Sequence, residues 1–310
     1  MPVCATRAGS EADNPHMTEL PDSLCFLDGA YGPLREARVS VLDRGFIFGD
    51  GIYEVLPAYG GQVFRFAEHM ARLERSLREL RIPNPYSPDE WLGIARRLIA
   101  DQQARGVHDQ LVYLQITRGV APRDHVMPPG LTPTVFAMAN PMKLATAEQR
   151  AHGVACVTAD DFRWGKAHIK ATSLLGSVLA RQIAADAGAV EVVMFRDGFL
   201  SEGASSNVWV VKDGVVMGPP KDNLVLEGIR FGLIEELCRQ QGLRYDLRRV
   251  TRAEVLSADE LLLSSATKEV LPITKLDGAP VGHGSQRGQP GPVYTSLYAG
   301  YQRAVAAQSI

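Results

Sequence analysis

One lysine, Lys170, stands in a setting that could support nucleophilic chemistry. Of the 33 basic residues only 7 are lysines, so the chain offers few primary amines. Lys170 follows His168-Ile169 and precedes an apolar stretch that predicts a helix. A side chain at such a junction can point into a cleft from a rigid support. Loss of hydration there would favour the neutral amine, which is the form that attacks a carbonyl. A solvated surface lysine is the alternative.

A second candidate, Glu202, lies in a run of small and polar residues, Leu200-Ser201-Glu202-Gly203-Ala204-Ser205-Ser206-Asn207. A single acid among small neighbours can reach a buried ring nitrogen without crowding. The hydroxyl and amide groups beside it can fix a phenol oxygen or a phosphate. An ordinary turn between two strands is the alternative for this segment.

Two cationic side chains, Arg123 and His125, stand two residues apart in a stretch that also contains Gly119 and Pro122. Glycine and proline favour a loop here, and in an extended loop residues i and i+2 point to the same side. Two such donors suit a carboxylate, because the guanidinium fork matches its two oxygens. A solvated basic turn is the alternative.

The first half of the chain predicts short strands and two helices that could position these residues. Apolar residues recur at helical spacing from Phe66 to Leu80, which predicts a helix with one buried stripe. A second helix is predicted over Trp91–Ala104. Strands are predicted at Leu24–Leu27, Ile52–Tyr59, Val63–Phe66, Leu111–Arg118 and Pro133–Met138.

The second half predicts another sheet with its own helices. Strands are expected at Val154–Thr158, Arg244–Val250, Leu261–Ser264 and Val270–Lys275, with hairpins at Asp197-Gly198 and Asp213-Gly214, helices at Leu174–Ala187, Ile229–Gln241 and Tyr294–Ala306, and a surface loop at Gly282–Gly291. Because tight turns join most strands, we expect an α+β fold with largely antiparallel sheets. The expected organisation is a disordered extension over 1–22 (with Met17 as a possible natural start), a small domain over 23–138, a linker over 139–150 and a larger domain over 151–310.

Composition argues against several classes of function. The formal net charge is −2, which disfavours nucleic acid or an acidic membrane as the main partner. No window reaches the ~18 uninterrupted apolar residues of a membrane span. Cys4, Cys25, Cys156 and Cys238 lie far apart, so neither a disulfide framework nor a metal site is indicated, and reduced thiols in the cytoplasm are expected. The Gly49-Asp50-Gly51 sequence is not a dinucleotide fingerprint.

Taken together and in order, these segments resemble the fold-type-IV pyridoxal-phosphate enzymes, the group of branched-chain and D-amino acid aminotransferases. The resemblance extends from about Leu24 to Val305. Its motifs are Asp43-Arg44-Gly45-Phe46, Phe48-Gly49-Asp50-Gly51-Ile52-Tyr53-Glu54, Glu68-His69 with Arg72-Leu73, Arg163-Trp164, His168-Ile169-Lys170, Leu174-Leu175-Gly176, and Glu202-Gly203 with Ser205-Ser206-Asn207. Each motif alone is weak evidence for the family, and the resemblance rests on their occurrence together in the family's order. It implies a two-domain fold that binds pyridoxal 5'-phosphate in the larger, C-terminal domain.

The resemblance also implies a role for each matching residue. Lys170 corresponds to the lysine that binds the cofactor covalently and then moves the substrate proton. Glu202 corresponds to the carboxylate that keeps the pyridine nitrogen protonated, so that the ring can act as an electron sink. Arg72 corresponds to the arginine on the cofactor phosphate. The remaining implied cofactor contacts are Leu226 behind the ring and Gly228, Ile229, Ser265 and Ala266 around the phosphate.

For the substrate, the resemblance is to the D-amino acid aminotransferase subgroup. Tyr53 corresponds to that subgroup's active-site tyrosine. Arg123 and His125 correspond to its pair for the substrate α-carboxylate, which is reached across a dimer interface, so a homodimer with shared active sites is implied. Val55, Trp164 and Thr267 are further candidates for the pocket lining, with core or loop packing as the alternative.

Two departures from the family pattern concern the phosphate. Relatives commonly continue Gly-Ile with Thr-Arg, whereas this chain continues with Arg230-Phe231. If the threonine hydroxyl normally holds the phosphate, a backbone N–H or Arg230 itself could replace it. Ala266 stands where a hydroxyl residue often binds phosphate, and backbone donors would survive that change.

The leading functional prediction is ping-pong transamination of D-amino acids with 2-oxo acids, with 2-oxoglutarate or pyruvate as acceptor. An (R)-selective amine transaminase is an alternative, but its substrates carry no carboxylate, so the Arg123/His125 pair disfavours it. A branched-chain aminotransferase or an aminodeoxychorismate lyase would share the cofactor residues. A catalytically silent binding protein of the same fold is disfavoured because Lys170 and Glu202 are both present. The expected partners are small molecules, namely amino acids and 2-oxo acids.

Overall fold

The computed structural model describes residues 22–310, so the predicted disordered extension lies outside the described part except for Asp22. Two β-sheets with helices packed against them form this part of the chain, which confirms the α+β fold class. No helix within residues 22–310 is long and apolar enough to cross a membrane. The division into two separate domains stays a prediction, since strand pairing does not tell whether each part folds alone.

The first sheet is antiparallel throughout and carries two long helices. Its strands are β1 (Leu24–Leu27), β2 (Ala30–Pro33), β3 (Gly51–Tyr59), β4 (Gln62–Val63), β5 (Gln110–Thr117) and β6 (Thr134–Pro141), and its helices are α1 (Arg44–Phe48), α2 (Phe66–Glu79) and α3 (Pro88–Ala104). The strands lie in the order β2-β1-β6-β5-β3-β4. α2 buries Leu73 and Leu77 in the same core as Trp91 and Leu98 of α3. Both helices therefore form because one apolar stripe of each is buried in that core.

The second sheet has nine strands. They are β7 (Val154–Asp160), β8 (Glu191–Arg196), β9 (Phe199–Leu200), β10 (Asn207–Lys212), β11 (Val215–Gly218), β12 (Arg244–Leu247), β13 (Glu260–Ser265), β14 (Glu269–Leu276) and β15 (Ala279–Pro280). Eight of them lie in the order β12-β11-β10-β13-β14-β7-β8-β9, and β15 pairs with β14. Three pairs are parallel, namely β11–β12, β7–β14 and β7–β8. The other pairs are antiparallel, so the prediction of largely antiparallel sheets holds.

Five α-helices accompany the second sheet. They are α4 (Ala147–His152), α5 (Leu175–Asp186), α6 (Ile229–Gln240), α7 (Arg252–Leu256) and α8 (Pro292–Gln308), and there are 3-10 turns at Leu34–Glu36 and Gly284–Gln286. α6 and α8 share a core with Trp209, built around Phe231, Leu237 and Leu297. α5 buries Ala180 against the sheet and exposes most of its larger apolar side chains. α6, whose first residue lies at the cofactor segment predicted above, is thus anchored along its length.

The segment that carries Lys170 is bound to the first sheet by backbone pairing. Ala171 forms an isolated antiparallel bridge with Ile52 of β3. The Tyr53 N–H donates to the Lys170 carbonyl over 3.0 Å, and the Thr172 N–H donates to the Gly51 carbonyl over 3.0 Å. β3 therefore fixes the backbone of the lysine segment, although that segment lies far away in sequence.

Residues near the C-terminal end of the chain make a second connection between the sheets. Val63 of β4 and Ile310 exchange two backbone hydrogen bonds of 2.8 and 3.0 Å. Arg65 binds Glu236 of α6 through two hydrogen bonds of 2.8 and 2.9 Å and also donates to Gln308. These contacts attach the start of α2 to the second half of the fold.

Several predicted boundaries are corrected. β6 continues to Pro141 because it pairs with β5 along its whole length, and α4 begins at Ala147 after a capping box of Thr146 and Gln149. Irregular chain is thus limited to 142–146 rather than the predicted linker over 139–150. The strand predicted to reach Phe66 ends at Val63, because Arg65 adopts a left-handed φ of 52° at the start of α2.

Candidate active site

A cavity of about 960 Å³ opens between the two sheets. Residues of β3 and α2 line one side, and residues of the second half of the chain line the other. Nine of the eleven predicted site residues line it, namely Tyr53, Arg72, Lys170, Glu202, Leu226, Gly228, Ile229, Ser265 and Ala266. Val55, Trp164 and Thr267 line it as well. Among the described residues that line it, Lys170 is the only lysine.

Lys170 presents its amine at the wall formed by β3. Its Nζ lies 4.1 Å from the centre of the Tyr53 ring, within the range of a cation–π contact. The Tyr53 ring stacks in turn on Tyr113 with 5.7 Å between ring centres. The Lys170 backbone N–H also lies 3.4 Å from Ser76 Oγ of α2. Backbone and side chain are therefore positioned from the first sheet, as a nucleophile on a rigid support requires.

Glu202 is buried at the far side of the cavity and is held by three donors. Asn207 Nδ2 donates to Oε2 over 3.1 Å, and the Leu226 N–H donates to Oε1 over 3.2 Å. The Arg163 guanidinium binds Oε1 through Nη1. Arg163 is itself bound by Asp161, which accepts from Nε and Nη2 over 2.9 Å each. The carboxylate thus has a fixed orientation.

The protonation of Glu202 is finely balanced. Burial raises its pKa to about 7, and the Arg163 guanidinium opposes that rise. A cationic N–H group beside such a carboxyl group stabilises its ionised form, because a nearby opposite charge favours ionisation. A protonated pyridine nitrogen is such a partner.

Arg72 is oriented by a buried carboxylate, Glu54, that sequence reasoning assigned no role. Glu54 accepts from Arg72 Nε over 2.9 Å and from Nη2 over 2.6 Å. His69 Nδ1 lies 2.9 Å from the same carboxylate. Burial alone would raise the pKa of Glu54, but the charge of Arg72 and the hydrogen bonds from His69 and Arg72 hold it well below its usual range. Burial lowers the pKa of His69 to about 4, so its ring is neutral at pH 7.

Removing the Glu54 carboxylate is expected to destabilise the protein strongly. Glu54→Ala leaves the Arg72 guanidinium buried without its partner, which costs about 3–5 kcal/mol. Urea unfolding followed by circular dichroism measures the loss. Glu68→Ala is the matched control, since Glu68 on the same helix as Arg72 also pairs with an arginine but is exposed, and such a pair is worth about 0–1 kcal/mol. Equal losses in the two variants would contradict this account of Glu54.

The start of α6 faces the same cavity. Gly228 precedes the helix, and a Cβ placed there would clash with Asn207 Oδ1. Only glycine therefore allows Asn207 to approach while it donates to both Glu202 and the Leu226 carbonyl. Free N–H groups at a helix start bind anions, and the helix dipole adds to that preference. Ser265 and Ala266, at the turn between β13 and β14, lie at the same cavity.

Arg123 and His125 do not line the cavity of the single chain. Both are exposed. The Arg123 guanidinium lies 5.4 Å from the centre of the Phe48 ring, and the His125 ring lies 5.3 Å from it. The pair therefore shares one neighbour, as the i, i+2 spacing predicts, but it is displayed beside α1 at the surface.

Four residues that orient the site were absent from the predicted set: Glu54, His69, Arg163 and Asn207. All four stand inside the motifs quoted above, so position in a motif was the available signal. Asp161 had no such signal, and its role follows only from its two hydrogen bonds to Arg163.

The donor set of the cavity fits pyridoxal 5'-phosphate. Lys170 supplies an amine for an aldehyde, and Glu202 supplies a buried acid for a pyridine nitrogen. Arg72 and the start of α6 supply cationic and backbone donors for a phosphate. Leu226 supplies an apolar wall.

Comparisons with known proteins agree with this interpretation. Residues 51–276 match the model of the family described as amino-transferase class IV. A D-alanine aminotransferase of Bacillus licheniformis is 40% identical over 274 residues, 88% of this chain and 94% of the relative. One of Staphylococcus epidermidis is 36% identical over 286 residues, 92% of this chain and 99% of the relative.

Solved structures of branched-chain amino acid aminotransferases share the fold. The T.th. enzyme, solved with pyridoxamine 5'-phosphate, is 25% identical with a TM-score of 0.84, covering 94% of this chain and 96% of that one. The Escherichia coli enzyme is 26% identical with a TM-score of 0.81, covering 90% of this chain and 93% of that one. The chain therefore belongs to the class IV aminotransferases and is a pyridoxal 5'-phosphate-dependent enzyme.

Proposed function

We propose that this enzyme transfers the amino group of D-amino acids to 2-oxo acids, with 2-oxoglutarate or pyruvate as acceptor. The similarity to D-alanine aminotransferases, at 36–40% identity over about nine-tenths of the chain, carries this proposal. Branched-chain aminotransferases resemble the chain in fold at 25–26% identity. The substrate preference is therefore drawn from the sequence relatives.

The residues of the cavity would divide the work as follows. The bound cofactor supplies an aldehyde and an electron sink for the substrate Cα. Lys170 Nζ takes the proton from the substrate Cα and later returns a proton. Glu202, fixed by Arg163 and Asn207, keeps a proton on the pyridine nitrogen. Arg72, held by Glu54, binds the phosphate, and Tyr53 covers the amine of Lys170 from the side of β3.

The substrate carboxylate is assigned to Arg123 and His125 of a second subunit. In one chain both residues are exposed and outside the cavity. Exposed apolar side chains lie on the segment that packs against this loop and on α5, including Val41, Phe46, Leu175 and Val178. Apolar groups of this kind mark association surfaces. We therefore infer a homodimer in which each loop completes the partner's site, and a cytoplasmic location stays a prediction.

Replacing Arg123 by alanine is expected to reduce kcat/KM for D-alanine by about tenfold to a hundredfold, because a charge-assisted Arg–carboxylate contact contributes about 1.5–3 kcal/mol. A primary amine without a carboxylate should lose far less. Steady-state kinetics with both substrates measures the difference, and Arg287→Ala, another exposed arginine, is the control. Equal losses for the two substrates would instead favour an (R)-selective amine transaminase.

Mixing variants tests whether the loop with Arg123 acts at the active site of the partner subunit. A heterodimer of Arg123→Ala and Lys170→Ala protomers contains one site with both residues intact if the loop acts in trans. Activity should therefore return on mixing. Mixed dimers that form but stay inactive would place Arg123 at its own subunit's site.

The exposed position of Arg123 keeps the amine transaminase as a second candidate function. A panel of D- and L-amino acids and simple amines, with 2-oxoglutarate and pyruvate as acceptors, separates the candidates. Turnover of D-amino acids supports the proposal. Turnover of branched-chain L-amino acids, or of amines alone, would overturn it.

A further inference from the structure

Arg230 carries a buried positive charge that no carboxylate of the described chain neutralises. The residue is 3% exposed. Its Nη2 donates to the Tyr301 hydroxyl over 2.9 Å, and its Nε has no hydrogen-bond partner among residues 22–310. Tyr301 is itself 3.2 Å from the Tyr59 hydroxyl. A neutral phenol is therefore the single hydrogen-bond partner of this guanidinium within that range.

The other buried arginines of the described chain are paired differently. There are five in all, and four have a carboxylate oxygen within 3 Å: Arg44 and Arg118 bind Asp50, Arg65 binds Glu236, and Arg72 binds Glu54. Glu269, whose charge acts on Arg230 from a greater distance, is bound by Arg150 over 2.7 Å. Because a buried charge without a counter-ion is costly, Arg230 requires an anion that the described residues do not supply.

The position of Arg230 indicates where that anion lies. Arg230 is the second residue of α6, a helix of 12 residues, and it lines the cavity together with Arg72. The helix start favours an anion by its free N–H groups and its dipole. An unpartnered buried guanidinium nitrogen and a helix start thus belong to residues that line the same cavity.

We propose that Arg230 is a second guanidinium for the cofactor phosphate, beside Arg72. This deepens the proposed function, on which it rests, by adding a charged contact to its cofactor. Arg230 supplies the charge, and the Tyr301 hydroxyl, which accepts from Nη2, holds the side chain in place.

Competition between cofactor forms tests the proposal without reference to turnover. The full chain is stripped of cofactor, and its affinities for pyridoxal 5'-phosphate and for pyridoxal, which lacks the phosphate, are measured by absorbance titration. Arg230→Met should weaken the binding of pyridoxal 5'-phosphate by about tenfold to a hundredfold, which is the contribution of a charge-assisted contact. Its affinity for pyridoxal should stay within about twofold of that of the wild type. The change in the ratio of the two affinities is the diagnostic quantity.

A second variant and a matched control keep the test decisive. Arg230→Gln retains a donor for Tyr301 but loses the charge, so it should show the same selective loss even if Arg230→Met folds poorly. Arg65→Met removes a buried arginine that lies outside the cavity lining, and its affinity ratio should equal that of the wild type. Inorganic phosphate should raise the Tm of the stripped wild type more than that of either Arg230 variant.

Equal losses for the two cofactor forms would show that Arg230 acts only on the fold, and unchanged affinities would place the phosphate elsewhere. Either result overturns the proposal. A wild-type enzyme that fails to use D-amino acids would contradict the proposed function instead, because the affinity ratio does not depend on the substrate.

Discussion

Replacing Lys170 by alanine is expected to lower kcat by about 10⁴-fold or more. The change removes both the amine that attacks the cofactor aldehyde and the group that carries the substrate proton, and a positioned proton carrier alone contributes about 10²–10⁴-fold. No other lysine of the described chain lines the cavity, so no neighbour can substitute. Stopped-flow and steady-state assays with D-alanine measure the loss, and mass spectrometry after borohydride reduction measures covalent attachment.

Lys166→Ala is the matched control for this change. Lys166 lies four residues earlier in the same segment and is exposed, and it does not line the cavity. The Lys166→Ala enzyme should keep the visible absorption band of the bound cofactor, its covalent attachment to Lys170 and the wild-type turnover. Multiple turnovers by Lys170→Ala at near wild-type rate, without an added amine, would refute the assignment of Lys170.

Replacing Glu202 by glutamine is expected to lower kcat by about tenfold to a hundredfold, with the cofactor still bound. Glutamine has nearly the shape of glutamic acid but carries no negative charge, so the pyridine nitrogen loses the partner that keeps it protonated. A charge-assisted hydrogen bond of about 1.5–3 kcal/mol corresponds to roughly tenfold to a hundredfold in rate. Cofactor content from absorbance and kcat from a D-alanine assay are measured on the same preparation.

The control for Glu202 is Glu227→Gln. Glu227 is half-buried and bound by Arg75 and Lys221, and it does not line the cavity. Its loss should leave kcat within about twofold of the wild type, as expected for a surface substitution. A Glu202→Gln enzyme with unchanged kcat would mean that another group protonates the ring.

Sequence reasoning located the main elements because most of them are long and periodic. The apolar stripe of α2 and the hairpin of β3 and β4 are local patterns, and both appear near their predicted positions. The short helices α1, α4 and α7 were missed, since five or six residues show little periodicity. The capping boxes before α4 and α7, Thr146 with Gln149 and Thr251 with Glu254, were the signals that could have revealed them.

The candidate site was predictable residue by residue but not as a geometry. Lys170 and Glu202 stand in motifs, so their presence in one cavity followed from the resemblance. The hydrogen bonds that orient the site did not follow from the resemblance. Asp161 meets Arg163, and Glu54 meets Arg72, only in the folded chain. The surface position of Arg123 followed only from the resemblance, which implies a loop that reaches a second subunit, since a loop's spacing fixes which side chains share a direction and not what they face.

The backbone bridge between Ala171 and Ile52 has a consequence for how the enzyme is made. Contacts between residues so distant in sequence form slowly, because closing the long intervening loop costs chain entropy before the contact stabilises the fold. We expect the lysine amine to reach its final place only when the segment from 170 to 172 has joined β3. Covalent capture of the cofactor would then be a late event in folding, and its appearance during refolding would report the docking of the second half of the chain onto the first.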